Sequence, residues 1–133
     1  MMTDKISFDL VSPERLLLSE DATMVTVPGA EGEMGVLAGH EPLISTLRPG
    51  VISVQGGSKG DARFFVSAGF AEINPEKITV LAEEAIPMEQ VDAALLDRRI
   101  AHAEEDILHA KTDADRARAV AAVDSLKILR ASL

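Results

Sequence analysis

Every glycine and every proline of this chain lies at or before Pro87, and the 46 residues that follow contain neither, but 11 alanines. A glycine costs about 1 kcal/mol and a proline about 3 kcal/mol inside a helix. The first part of the chain therefore cannot be mainly helical, and nothing in the second part prevents it from being so. The break predicts a turn-rich β unit over residues 1–87 and a helical unit over residues 88–133.

The breakers are densest over residues 27–50, which hold five of the nine glycines and three of the six prolines. Gly29, Gly32, Gly35 and Gly39 are interleaved with Glu31 and Glu33, and the stretch has no lysine or arginine before Arg48. This reads as tight turns joining short strands, here at residues 34–37 and 43–47. Upstream, Ile6-Ser7-Phe8-Asp9-Leu10 alternates apolar and polar, as a half-buried strand does. Residues 15–18 and 22–27 supply two more strands. Downstream, strands are expected at 51–54, 63–67, 70–73 and 77–81. A glycine-rich loop from Gln55 through Lys59 to Asp61 and the turn Asn74-Pro75-Glu76 separate them. About nine short strands at this spacing predict an antiparallel β-sandwich or flattened barrel.

In the second part, Ala93, Leu96, Ile100, Ala103, Ile107 and Ala110 form one helical stripe. Lys111-Thr112-Asp113 interrupts it, and Thr112 with Asp115 resembles a capping box that starts a new helix. A second stripe runs Ala119, Ala122, Leu126, Leu129, Leu133. Two helices joined by about three residues should form an antiparallel αα-hairpin.

Several functions are excluded by composition. The net charge is −9, with 13 basic and 22 acidic residues and no Trp or Tyr. That is the wrong charge for phosphate backbones and leaves no ring platform for bases, so no nucleic-acid partner is expected. Without cysteine there is no thiolate nucleophile and no cysteine metal cage. Asp4 and Lys5 near the start do not open a signal peptide, and no apolar run has the roughly 18 residues of a membrane span. The glycine stretch lacks the Lys and Ser/Thr of a phosphate-binding loop, and its glutamates would repel phosphate. His102 and His109 share a helix face but stand two turns apart, too far for one metal. His40 sits alone between Gly39 and Glu41. No catalytic dyad is visible, and neither a cofactor nor a metal is expected.

The run Val27-Pro28-Gly29-Ala30-Glu31-Gly32-Glu33-Met34-Gly35-Val36-Leu37-Ala38-Gly39-His40-Glu41-Pro42-Leu43 resembles the V-x-G-x-E-G-x-x-G-x-x-x-G-H-x-P-L signature of the epsilon subunits of F-type ATP synthases. Phe8-Asp9-Leu10-Val11-Ser12-Pro13-Glu14 is similar to the opening strand and turn of that family. Phe70-Ala71-Glu72-Ile73 and Ile78-Thr79-Val80-Leu81-Ala82-Glu83-Glu84-Ala85 are similar to its last strands. The resemblance covers nearly all of the β part, and the helical part matches in length and architecture.

The resemblance implies a non-catalytic central-stalk subunit that couples rotation of the membrane ring to ATP synthesis and restrains ATP hydrolysis. By residue matching, Glu31, Gly32 and Glu33 would meet the c-subunit ring, and Ser12 and His40 the gamma subunit. Lys127 and Arg130, late in the hairpin, would meet an acidic segment of the catalytic beta subunits. The protein would sit on the cytoplasmic face of the bacterial inner membrane, attached only through the complex. An ATP-sensing regulatory module of the same fold is the alternative. Some family members bind ATP through I/L-D-x-x-R-A, which matches Val91-Asp92-Ala93-Ala94-Leu95-Leu96 here. Asp92 is kept, but Leu95 replaces the arginine, and an apolar side chain cannot neutralise phosphate.

Overall fold

The structure is a computed structural model that describes residues 5–58 and 60–133; Asp4 and Lys59, invoked above, lie outside them. The chain divides into two compact units, one ending at Glu89 and one spanning Gln90–Leu133.

The first unit holds ten strands: β1 (Ile6–Val11), β2 (Leu16–Ala22), β3 (Met24–Gly29), β4 (Gly32–Val36), β5 (Leu43–Leu47), β6 (Gly50–Gln55), β7 (Ala62–Val66), β8 (Gly69–Ile73), β9 (Lys77–Ala82) and β10 (Ala85–Pro87). They form one sheet in the order β10-β7-β6-β3-β5-β8-β9-β1-β2, with β4 added to β3. The sheet curls on itself, so strands distant in this order share one core. Ile6, Phe8 and Leu10 of β1, Val25 and Val27 of β3, and Ile52 and Val54 of β6 are all in that cluster. Phe8 is fully buried.

The strict alternation of β1 follows from its sequence: Ile6, Phe8 and Leu10 point inward while Ser7, Asp9 and Val11 face out. Leu16, Leu17 and Leu18 have no such alternation. A register shift opposite Leu10 and Val11 puts an extra residue into β2, which lets both Leu17 and Leu18 pack on the core.

Two features of the sheet depart from the expectation. The sheet is mixed, because β1 pairs parallel with β9 from Ser7↔Lys77 to Val11↔Leu81. An alternating strand looks alike whichever way its neighbour runs, so the direction was not written in β1 itself. The tenth strand, Ala85–Pro87, was not expected; it pairs with β7 from Ala85↔Val66 to Pro87↔Phe64. It is short and ends in proline, which suits only an edge strand.

An ion pair supports the parallel seam. Lys77 Nζ lies 2.8 Å from Asp9 Oδ2, and Ser19 Oγ donates to Asp9 Oδ1 at 2.7 Å. The Lys77 hydrogen bond first, then that of Ser19, holds the Asp9 carboxyl below its ordinary pKa, against the opposing effect of partial burial. A lowered folded-state pKa means stability that is present above the unfolded pKa and lost as pH falls through the folded one. Asp9→Asn should therefore cost about 0.5–1 kcal/mol at neutral pH, with the difference from the parent shrinking below about pH 4. Urea melts at several pH values check this.

The second unit is the expected hairpin of α1 (Ala93–His109) and α2 (Asp113–Ala131). Asp92 caps α1 by accepting the Leu95 N–H at 3.1 Å, and Thr112 caps α2 by accepting that of Asp115 at 3.0 Å. Leu96, Ile100, Ala103, Ile107 and Ala110 are buried or half-buried, whereas Ala93 is exposed. On α2 the expected stripe is corrected: Val123 is buried and Ala122 exposed, while Leu133 lies beyond the helix end and is exposed. Both positions fit a helical repeat, and rotating the larger valine inward buries more apolar surface.

Candidate functional site

β3 and β4 form a hairpin whose register ends at Gly29↔Gly32, so Ala30 and Glu31 are the tip. Neither tip residue has a positive φ; Gly32, at φ 137°, absorbs the reversal instead. A side chain at Gly29 would put a Cβ 2.8 Å from the Gly32 carbonyl oxygen, so the absence of a side chain at Gly29 lets the strands close tightly. Glu31 and Glu33 are exposed and Gly32 is half-buried.

This tip is anchored. The Ala30 N–H donates to Thr46 O at 3.0 Å, and the Arg48 N–H donates to Pro28 O at 2.9 Å. Arg48 Nε donates to Gly29 O at 3.0 Å. Pro28 has no N–H to give, but its carbonyl is used, and Gly50 packs where a Cβ would come within 2.8 Å of Pro28 Cβ. Two carboxylates are thus carried on a short, braced loop with little freedom to retreat. Beside it lies a groove of about 430 Å³ lined by the tip, Met34 and residues 43–46 of β5. Ile44 on its wall is 70% exposed.

The register of the sheet assembles a second surface. Thr46 lies opposite Phe70, Phe70 opposite Leu81, Leu81 opposite Val11, and Val11 opposite Leu16. Thr46, Phe70, Leu81 and Val11 stand on the outer face, since their strand neighbours Leu47, Ala71, Val80, Ala82 and Leu10 are buried, and Leu16 stands beside Val11, itself exposed. Phe70 is 42% exposed and Leu16 55%. The half-buried Leu81 and Val11 join the exposed Phe70 and Leu16 into one apolar strip on this face. This row was missed at the sequence level. Its only local sign is that Phe70 and Leu16 are apolar at positions where alternation calls for polar residues.

Ser12 follows Val11, the last residue of β1. Its backbone exchanges hydrogen bonds with Arg15, and its Oγ donates to Arg15 O at 3.2 Å. His40 lies toward the other end of the strands. The adjoining Gly39 N–H donates to Pro75 O at 2.7 Å, in the β8–β9 turn. His40 Nδ1 sits 2.7 Å from Glu41 O. Ser12 and His40 are therefore not one cluster; they bracket the sheet along its strands, with the outer face between them.

In the hairpin unit, Asp92 is engaged as the α1 cap and Leu95 is 51% exposed. Lys127 is exposed. Arg130 is exposed too, but its Nε meets Asp97 Oδ1 at 2.8 Å. His102 and His109 are both exposed on α1. Among the described residues no group of three or more His, Cys, Asp or Glu is arranged to hold a metal. Neither helix is long and apolar enough to cross a membrane.

A curled β unit carrying an acidic braced tip and an outer apolar row is thus followed in the chain by a helical hairpin. The comparisons with known proteins make the family specific. Residues 5–88 match the family described as ATP synthase, Delta/Epsilon chain, beta-sandwich domain. An ATP synthase epsilon chain from Parvibaculum lavamentivorans is 51% identical over 97% of this chain and 98% of its own. One from Mesorhizobium japonicum is 46% identical over 99% and 98%. A chain from the mitochondrial ATP synthase of Euglena gracilis, seen with OSCP, F1 and the c-ring, superposes with a TM-score of 0.82. It is 28% identical, and the match covers 96% of this chain and 81% of that one. A chain from the central stalk and c-ring of the Tetrahymena thermophila enzyme, at 13% identity and a TM-score of 0.66, shares the fold. This chain belongs to the ATP synthase epsilon chain family.

Proposed function

We propose that the chain is a non-catalytic subunit of the central stalk of a proton-translocating ATP synthase, peripheral to the membrane on its cytoplasmic face. In this reading the tip Glu31-Gly32-Glu33 meets polar loops of the c-ring. The outer face between Ser12 and His40, with Leu16 and Phe70 on it, docks the gamma subunit. Coupling requires an element that transmits torque without yielding. The observation that supports this reading most directly is the bracing of the acidic tip to β5 through Ala30, Pro28 and Arg48. A loop held by these contacts can carry load between a ring and a shaft.

The helical hairpin restrains ATP hydrolysis in this reading, with Lys127 and Arg130 meeting an acidic segment of a catalytic beta subunit. An ATP synthase reassembled with residues 1–87 alone should keep proton-driven synthesis and hydrolyse ATP faster than one holding the full chain. Hydrolysis at the same rate in both would remove the restraining role.

A further inference from the structure

Arg130 already has a partner within the hairpin. α1 and α2 are antiparallel, which brings Asp97 near the start of one beside Arg130 at the end of the other, 33 residues away in sequence. Nε donates to Oδ1 at 2.8 Å, and the side chains are 44% and 57% exposed for Arg130 and Asp97. Among the described residues Asp97 makes no other ion pair. It is off the apolar stripe of α1, and the capping of that helix is done by Asp92. Lys127, one turn before Arg130, is exposed and has no ion-pair partner within 4.0 Å among the described residues. The end of α2 therefore carries one free cation and one that is held by the hairpin itself.

We propose that Asp97 is an internal competitor for Arg130, a latch that must open before Arg130 can pair with an acidic partner. The inference rests on the reading of Lys127 and Arg130 as contacts to an acidic segment of a beta subunit. The exchange is of like for like, because Asp97 offers the guanidinium the same carboxylate chemistry that such a segment would. The pair is exposed, so it is weak enough to be broken by a better-placed partner and strong enough to bias the choice.

The test uses the complete ATP synthase reassembled with the full chain carrying D97N, R130Q, K127Q or D97N/R130Q, with ATP hydrolysis as the readout. Losing an exposed pair should make D97N about two- to fivefold more inhibitory than the parent, measured as the concentration of chain that halves hydrolysis. R130Q should be less inhibitory, and D97N/R130Q should match R130Q, because Asp97 acts only through Arg130. Asp97→Ala serves as a second variant, and far-UV circular dichroism checks that the helices are kept. If D97N inhibits no better than the parent while R130Q and K127Q inhibit less, the latch is refuted and the contact reading stands. If R130Q and K127Q both inhibit like the parent, the contact reading fails and the latch falls with it.

Discussion

Gly69→Ala should destabilise the β unit by about 3–4 kcal/mol and lower its melting temperature by about 15–25 °C. Gly69 opens β8 at φ 150°, a conformation that costs any residue with a Cβ. The larger problem is space. A Cβ there would lie 1.9 Å from the Leu81 carbonyl oxygen and 2.9 Å from its carbon, both backbone atoms that cannot swing away. Gly69 pairs with Leu47 of β5 on one side and Ala82 of β9 on the other. Relief would have to come from pulling β8 off β9, which would open the core at Ala71 and Ile73. Gly32→Ala is the informative comparison. Its φ is 137°, but an added Cβ would meet nothing within 4 Å. It should cost about 1–2 kcal/mol, from backbone strain alone. Thermal melts of the two variants separate steric conflict from conformational cost.

The double charge reversal Glu31→Lys with Glu33→Lys should leave the fold intact and weaken docking on the c-ring about 30-fold. Both side chains are exposed, so each change should move stability by no more than about 0.5 kcal/mol. At an interface the same charges steer and orient, and reversing each costs about 1 kcal/mol. The backbone that carries both side chains is braced at Ala30, Pro28 and Arg48. In reassembled enzyme the expected result is reduced proton pumping per ATP hydrolysed, with an unchanged melting curve. A comparable loss from the neutral pair Glu31→Gln and Glu33→Gln would point to shape rather than charge. Normal pumping with both lysines in place would contradict the assigned role of the tip.

What could be read from the sequence was what is local. The break after Pro87 separated strand from helix because helix cost is paid residue by residue. β1 showed itself through alternation, β5 was bounded correctly at residues 43–47 by flanking turns, and the start of α2 was marked by Thr112. The acidic tip was legible as a glycine-bounded turn, although β4 begins at Gly32 rather than at residue 34. What depends on pairing between distant residues could not be read. The parallel direction of β1 against β9 leaves no mark in either strand. The row from Phe70 to Leu16 exists only once four strands are set in register. Asp97 gains Arg130 only through the antiparallel return of α2. Val123 and Ala122 both fitted the helical repeat, and packing chose between them.

The central claim is that this chain is held in the stalk of an ATP synthase by the outer face of its β unit. Affinity capture of the full chain from detergent-solubilised membranes, alongside Phe70→Asp, tests it directly. Phe70 is exposed, so its replacement should not open the core. The account predicts that the parent chain recovers gamma together with the catalytic subunits and the c-ring, and that Phe70→Asp recovers at least tenfold less, the change expected for about 1.4 kcal/mol of lost docking. Equal recovery by the two would contradict the docking face, and recovery of none of these subunits by the parent would contradict the account as a whole.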